Sequence, residues 1–225
     1  AKRFGCKTVL TAHDYKIVCP SYTMLRDGHV CDDCLTGSVS NAFRHRCQQG
    51  DTFKSLLLSL EAYWQKFAQN YAMLDCIIAP SEFMRQTLLR KLPRSRIETI
   101  VNGIDASATI PGDTAGDYFL YIGRLSREKG VATLALAQQK MQQSMPLKIV
   151  GDGPLGSDLR ARFSGPEFLG YMRHGEALNA LIRGARAVIV PSEYYENCSM
   201  SVLEAMAFAR PVVGGNIGGI PEQIR

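Results

Sequence analysis

Two glutamates, Glu196 and Glu204, stand with seven residues between them in "EYYENCSMSVLEAMAFARPVV", residues 193–213. If both were helical they would lie ~12 Å apart along the axis and ~80° around it. That exceeds the ~5–9.5 Å that separates the carboxyl groups of a glycoside-hydrolysing pair. A loop position for Glu196 and a helix beginning near Ser199 for Glu204 suit the pair better. Two carboxylates would then reach one cleft from different depths, each able to accept two hydrogen bonds from neighbouring sugar hydroxyls.

A second group follows a strand-like run in "YFLYIGRLSREKG", residues 118–130. Gly123 permits a tight turn, Ser126 is suited to cap a helix, and Glu128 sits in the turn that follows. Lys129 is expected in the first helical turn, where the helix dipole disfavours a cation. With Arg124 and Arg127 close by, three cations at a helix N-terminus suit an anion such as a diphosphate. These residues alone leave a solvated charged turn equally open. "GDGPLG" (151–156) matches G-x-G-x-x-G, with Pro154 expected as the first helical residue. It follows the second strand of its region, and the expected ribose-binding acid is out of place, so it reads as a glycine-rich turn lining a nucleotide cleft and not as an NAD site.

The third group is Cys19, Cys31, Cys34 and Cys47. A C-x2-C pair is flanked by outer cysteines, with eleven residues between Cys19 and Cys31 and twelve between Cys34 and Cys47. Four thiolates could close a tetrahedral structural zinc site. Against this, a zinc ribbon has two such knuckles. His45 could replace one ligand, and buried thiols or disulfides formed on oxidation are the alternatives.

Elements positioning these groups alternate in type. Strands are expected at 7–13, 76–79, 97–101, 118–123, 147–151, 167–170, 187–190 and 211–214, with helices near 51–73, 81–91, 129–143, 175–184 and 199–209. Alternation requires crossover connections and hence parallel sheets, an α/β fold. Phe53, Leu57, Leu60, Trp64, Phe67 and Tyr71 form one apolar stripe that is expected to be core. The Gly/Pro/Ser/Thr/Asp-rich stretch 106–116 is expected to link a first domain, 1–105, to a second, 117–225. Residues 13–50 form a long irregular, cysteine-containing segment. Residues 1–5 and "GGIPEQIR" read as cut elements, so the chain is expected to be a fragment.

Composition excludes some classes. No apolar run approaches the ~20 residues of a membrane span. Seven cysteines argue against a complete disulfide framework and for a reducing compartment, with Cys6 and Cys76 expected as buried thiols. The net charge of +5 lies mostly in the first domain, around Arg85, Arg90, Lys91, Arg94 and Arg96. A solvated helix face explains that cluster, or attraction to an anionic membrane. No aromatic–basic motif supports nucleic-acid binding.

"GRLSREKG", "VGDGP", "AVIVPSEYYENCSMSVLEAMAFARPVV" and "GGIPE" occur in the order and spacing of family 4 retaining glycosyltransferases, and the chain resembles that family over nearly its whole length. "TAHDYKIVCP", "IIAPSEFMRQTL" and "VNGID" resemble the acceptor domain. "CP", "RDG" and C-x2-C resemble a subgroup engaged in bacterial envelope polysaccharides. The resemblance implies a GT-B fold of two Rossmann-like domains, both incomplete here, so that the chain alone would turn over little substrate. It implies a nucleotide-sugar donor and a saccharide or lipid-linked acceptor, in the cytoplasm or at the inner membrane face. By the same resemblance Arg124 and Lys129 hold the donor diphosphate and Glu204 the ribose. Glu196 faces the transferred sugar and His13 lies near the reacting carbon. Gly123, Gly151, Gly153, Ser199, Met200 and Ser201 complete the donor site, Ser199 standing where relatives have Gly or Pro. The chain contains no D-x-D, so no catalytic divalent metal is expected. A sugar-nucleotide epimerase and a non-catalytic binding module are the rival readings.

Overall fold

The computed structural model describes residues 4–106, 111, 116–142 and 145–224. Contacts divide the chain into two compact units, 1–102 with 194–198, and 103–193 with 199–225. The expected linker 106–116 falls mostly outside the described residues.

The first unit runs β1 (Val9–Thr11), β2 (Leu25–Arg26), β3 (His29–Val30), α1 (Asp33–Thr36), α2 (Asn41–Arg44), α3 (Thr52–Phe67), β4 (Cys76–Ala79), α4 (Glu82–Leu89) and β5 (Ile97–Thr99). A parallel sheet of order β1-β4-β5 pairs Leu10 with Ile77 and Ile77 with Ile97. Ile77, Met84, Leu88 and Val18 are almost fully buried in its core. Asp51 and Ser81 cap α3 and α4 through side-chain bonds from the amides of Lys54 and Met84, each contributing about 1 kcal/mol. β2 and β3 form a hairpin across Asp27-Gly28, both with positive φ. Asp-Gly is a strong two-residue hairpin signal, and it marks regular structure inside 13–50.

α3 corrects an expectation. Phe53, Leu57, Leu60, Trp64 and Phe67 face outward, between 50% and 82% exposed, while Ser55 and Ser59 are buried. The small serines let the helix approach its neighbours closely. Ser55 Oγ donates to the Asp51 carbonyl and accepts from the Gln48 amide, and Ser59 Oγ donates to the Val39 carbonyl. The apolar stripe is a surface and not a core. Cys6 is likewise exposed and Cys76 half-buried.

The second unit contains β6 (Phe119–Ile122), α5 (Val131–Gln139), β7 (Leu147–Val150), α6 (Gly156–Arg162), β8 (Glu167–Gly170), α7 (Glu176–Arg183), β9 (Ala187–Val190), α8 (Met200–Ala207), β10 (Val212–Gly214) and α9 (Ile220–Ile224). All five strands are parallel in the order β10-β9-β6-β7-β8. Two apolar clusters cover the sheet's two faces. One joins Leu120 and Val188 to α7, α8 and α9 through Ile182, Val202 and Ile220. The other joins Leu147 and Ile149 to α5 and α6 through Val131 and Leu159. Chain order reverses between β6 and β9, and in open α/β sheets ligands bind beyond the strand ends at such a switch point.

Candidate functional site

Glycines let the loops beyond β6, β7 and β9 approach one another. Gly151 has φ +138°, and a Cβ there would collide with the Gly123 carbonyl oxygen. Gly130 has φ +68°, and a Cβ there would collide with the Pro191 carbonyl oxygen. Backbone hydrogen bonds then lace the loops together: Gly123 N–H to Val150 O at 3.0 Å, Leu125 N–H to Asp152 O at 2.9 Å, Leu155 N–H to Leu125 O at 2.9 Å, and Glu193 N–H to Glu128 O at 2.8 Å. The result is a fixed shelf at the switch point. Gly153 lies in it, against the Leu125 backbone.

Arg124 is exposed on this shelf and Lys129 is half-buried. Lys129 does not lie in the first turn of a helix, as expected. It ends a 3-10 turn, Arg127–Lys129, and α5 begins at Val131 with Gly130 as its N-cap. Left-handed Gly130 breaks the run and re-aims the chain. Ser126 does not cap with its side chain. Its hydroxyl donates to Glu128 Oε1 at 2.6 Å. Pro154 does not begin α6, which starts at Gly156.

α8 presents Glu204 from a second direction. Its start is pinned by Ser201 Oγ, which donates to the Ile122 carbonyl at 3.0 Å. Gln223 adds two contacts with the Ser199 backbone, accepting from its N–H at 2.8 Å and donating to its carbonyl at 3.1 Å. Ser199 is buried and Met200 exposed. The Glu204 side chain is 13% exposed, and its Oε1 lies 3.8 Å from His174 Nδ1. Burial raises its pKa, with His174 opposing in part. The two residues border a small cavity of about 180 Å³ with Asp105 and Asn179. Nothing in the sequence marked His174 as a partner.

The raised pKa has two consequences. A carboxylate that receives ligand hydroxyls must be ionised, so affinity for any ligand held that way should fall as pH drops through a value above the usual 4.5, and Glu204→Gln should flatten that dependence. In the free protein the sign reverses. A folded-state pKa above the unfolded one gives stability that is full below the unfolded pKa and lost as pH rises through the folded one. The melting temperature of Glu204→Gln should therefore exceed that of the parent near neutrality, with the gap closing in acid.

Glu196 and His13 fall in the first unit. Glu196 is buried, and its Oε2 accepts from Tyr194 Oη at 2.8 Å. The neighbouring Asn197 donates its side-chain amide to the exposed His13's carbonyl. Tyr195 stacks near Phe83, with centroids 4.9 Å apart, and Tyr15. Asn197 was not singled out in the sequence, because an Asn gives no signal until the fold brings its partner.

Cys19, Cys31, Cys34 and Cys47 gather within electrostatic reach of one another. Burial and then the neighbouring thiols push Cys34 up to about 12 and Cys47 to about 11. Among the described residues, no group of three or more His, Cys, Asp or Glu is arranged to hold a metal ion. Since the thiolate is the nucleophile, iodoacetamide should modify exposed Cys6 first and Cys34 and Cys47 at least about a hundredfold more slowly at pH 8. Peptide mapping over time checks the order.

Comparison with known proteins adds a separate line of observation. A family model described as Glycosyltransferase Family 4 matches residues 1–108, and one described as Glycosyl transferases group 1 matches 116–225. Glycogen synthase of Mycobacterium tuberculosis is 36% identical over 143 residues, covering 58% of this chain and 34% of that enzyme. Alpha-maltose-1-phosphate synthase of Mycolicibacterium smegmatis is 28% identical, covering 67% of this chain and 46% of that enzyme. The chain thus spans a third to a half of the length of these relatives. Among solved structures, Anabaena HepE in complex with UDP superposes with a TM-score of 0.63 at 20% identity, covering 96% of this chain and 55% of that one.

Proposed function

Because the chain belongs to the family 4 glycosyltransferases and has their GT-B fold, we propose that it serves transfer of a sugar from a nucleotide-sugar donor to a saccharide or lipid-linked acceptor. The observation carrying this reading is the laced shelf, with Arg124 and Lys129 on one side of the switch point and Glu204 on the helix that follows β9. Cleavage of the sugar–phosphate bond places negative charge on the departing diphosphate. Arg124 and Lys129, carried on loops whose backbone is laced together, would stabilise that charge. The N–H groups that open α5 have no partner within the helix and suit the same anion. Ionised Glu204 would accept the ribose hydroxyls, with Gly123, Gly151 and Gly153 allowing close approach and Ser199, Met200 and Ser201 leading into its helix.

Glu196 would face the transferred sugar, held by Tyr194, and His13 the reacting carbon. Retention at the anomeric centre, independence of a divalent metal and a role in envelope or exopolysaccharide synthesis, in the cytoplasm or at the inner membrane face, belong to the same proposal. They are supported by the family and by the absence of D-x-D from the sequence. HepE is described with UDP and with UDP-glucose, which puts a uridine donor first among those to try. The four gathered cysteines would serve structure, as thiols or around zinc, and metal analysis of the purified protein decides between the two. The transfer reading is tested by incubating the protein with UDP-, GDP- and ADP-sugars and measuring release of the nucleoside diphosphate. Turnover by this chain alone is expected to be slow, with one donor cleaved faster than the others, and a folded protein that neither cleaves nor saturably binds any of these nucleotide-sugars would refute it.

A further inference from the structure

Helical spacing puts Ser55, Ser59, Ala62 and Lys66 on one side of α3, opposite the apolar stripe. The two serines are buried, and beyond them Ala62 and Lys66 line a cavity of about 570 Å³. Lys91 and Arg94, from the segment between α4 and β5, border the same cavity, as does Lys16. Lys16 is paired with Glu61 at 2.8 Å. Among the described residues, Lys66, Lys91 and Arg94 have no carboxylate within ion-pair distance. Their neighbours in the sequence differ, since Arg85 and Arg96 pair with Glu82 and Glu98. Lys91 is half-buried and held in place, its Nζ donating to the Gly37 carbonyl at 3.1 Å. Burial, and after it Lys66, pushes its pKa down. Like charges set together without an acid are costly, and an anion between them reverses that cost. Much of the remaining lining is apolar or aromatic, with Ile17, Val18, Leu92, Tyr63 and Tyr71. An apolar lining with a few convergent charges, in a volume within the about 300–1,000 Å³ of small-molecule sites, is the make-up of a ligand pocket.

We infer that this cavity binds an organic phosphate monoester. Lys66, Lys91 and Arg94 would take the phosphate, the lysines as point charges and Arg94 through its planar fork. The apolar and tyrosine lining would cover the organic body. Lys91 and Arg94 stand just ahead of β5, at the end of the parallel sheet where its strands begin, whereas His13 follows the opposite end, after β1. The cavity is thus separate from the place given to the reacting carbon, and filling it does not depend on the transfer reading. A saccharide and an isoprenoid chain both suit such a body, and two probes tell them apart.

Calorimetric titration with fructose 6-phosphate, geranyl phosphate and inorganic phosphate tests this without a nucleotide. One of the two organic phosphates should bind at one site per chain, at least about tenfold more tightly than inorganic phosphate. The tighter of the two identifies the body. Lys66→Ala/Arg94→Ala, both at exposed positions, should weaken binding about tenfold or more, and Lys91→Ala likewise. Ala62→Phe, which fills the cavity, should remove the preference for the organic phosphate. Arg124→Ala/Lys129→Ala should leave this binding unchanged, which separates it from a phosphate settling on the second unit. Circular dichroism reports that each variant is folded. No binding of either organic phosphate by the folded protein, binding that survives Lys66→Ala/Arg94→Ala, or binding lost in Arg124→Ala/Lys129→Ala would overturn the inference. So would equal affinity for inorganic phosphate, which means attraction to surface charge alone.

Discussion

Lys129→Ala is expected to lower kcat/KM for the nucleotide-sugar donor by about a thousandfold, with Arg124→Ala close behind. Under the proposed function each substitution would remove a cation facing the charge that develops as the sugar–phosphate bond breaks, and single preorganised donors of this kind are worth about 10²–10³ in rate. Both positions sit on a shelf held by backbone hydrogen bonds and glycine contacts, so their truncation should leave the fold intact. Lys129→Arg should recover part of the loss by keeping the charge, whereas Lys129→Gln should recover little. Initial-rate kinetics with the preferred donor provide the check. Loss confined to KM would mean that the lysine binds ground and transition states alike.

Gly130→Val should destabilise the protein by about 3 kcal/mol or more. Two penalties combine. A β-branched residue at φ +68° is a strained conformer, and its Cβ would run into the Pro191 carbonyl, which is backbone and cannot rotate away. Gly130→Ala should show a smaller share of the same effect, and Gly103→Ala, where a Cβ meets nothing within 4 Å, should be nearly neutral. Urea denaturation of the three variants gives the order. Equal stability of Gly130→Val and Gly103→Ala would mean that the β6 and β9 loops are not locked together as described.

Strand positions were legible because buried parallel strands are short β-branched runs between helices, and "CIIA", "EFLG" and "AVIV" appear as β4, β8 and β9 with the expected bounds. The charged turn after β6 was legible as a motif but not as geometry. Only the backbone shows that Gly130 ends a 3-10 turn, putting Lys129 ahead of α5. Periodicity located α3 and misassigned its face, since a stripe of apolar residues announces burial against something without saying what. The serines opposite carried the answer: small side chains that bond to the backbone of Gln48 and Val39 are how that helix meets its own domain. His174 beside Glu204 and Asn197 beside His13 come from distant segments, and no local pattern encodes such pairs.

Titration calorimetry with UDP, GDP and ADP bears most directly on the claim that the second unit holds a nucleotide diphosphate on Arg124, Lys129 and Glu204. One of the three should bind with a single site per chain, and Arg124→Ala/Lys129→Ala and Glu204→Ala should each abolish or strongly weaken the heat, while both variants keep the parent's circular dichroism. Binding of none by the folded protein, or binding that survives both variants unchanged, would contradict the account.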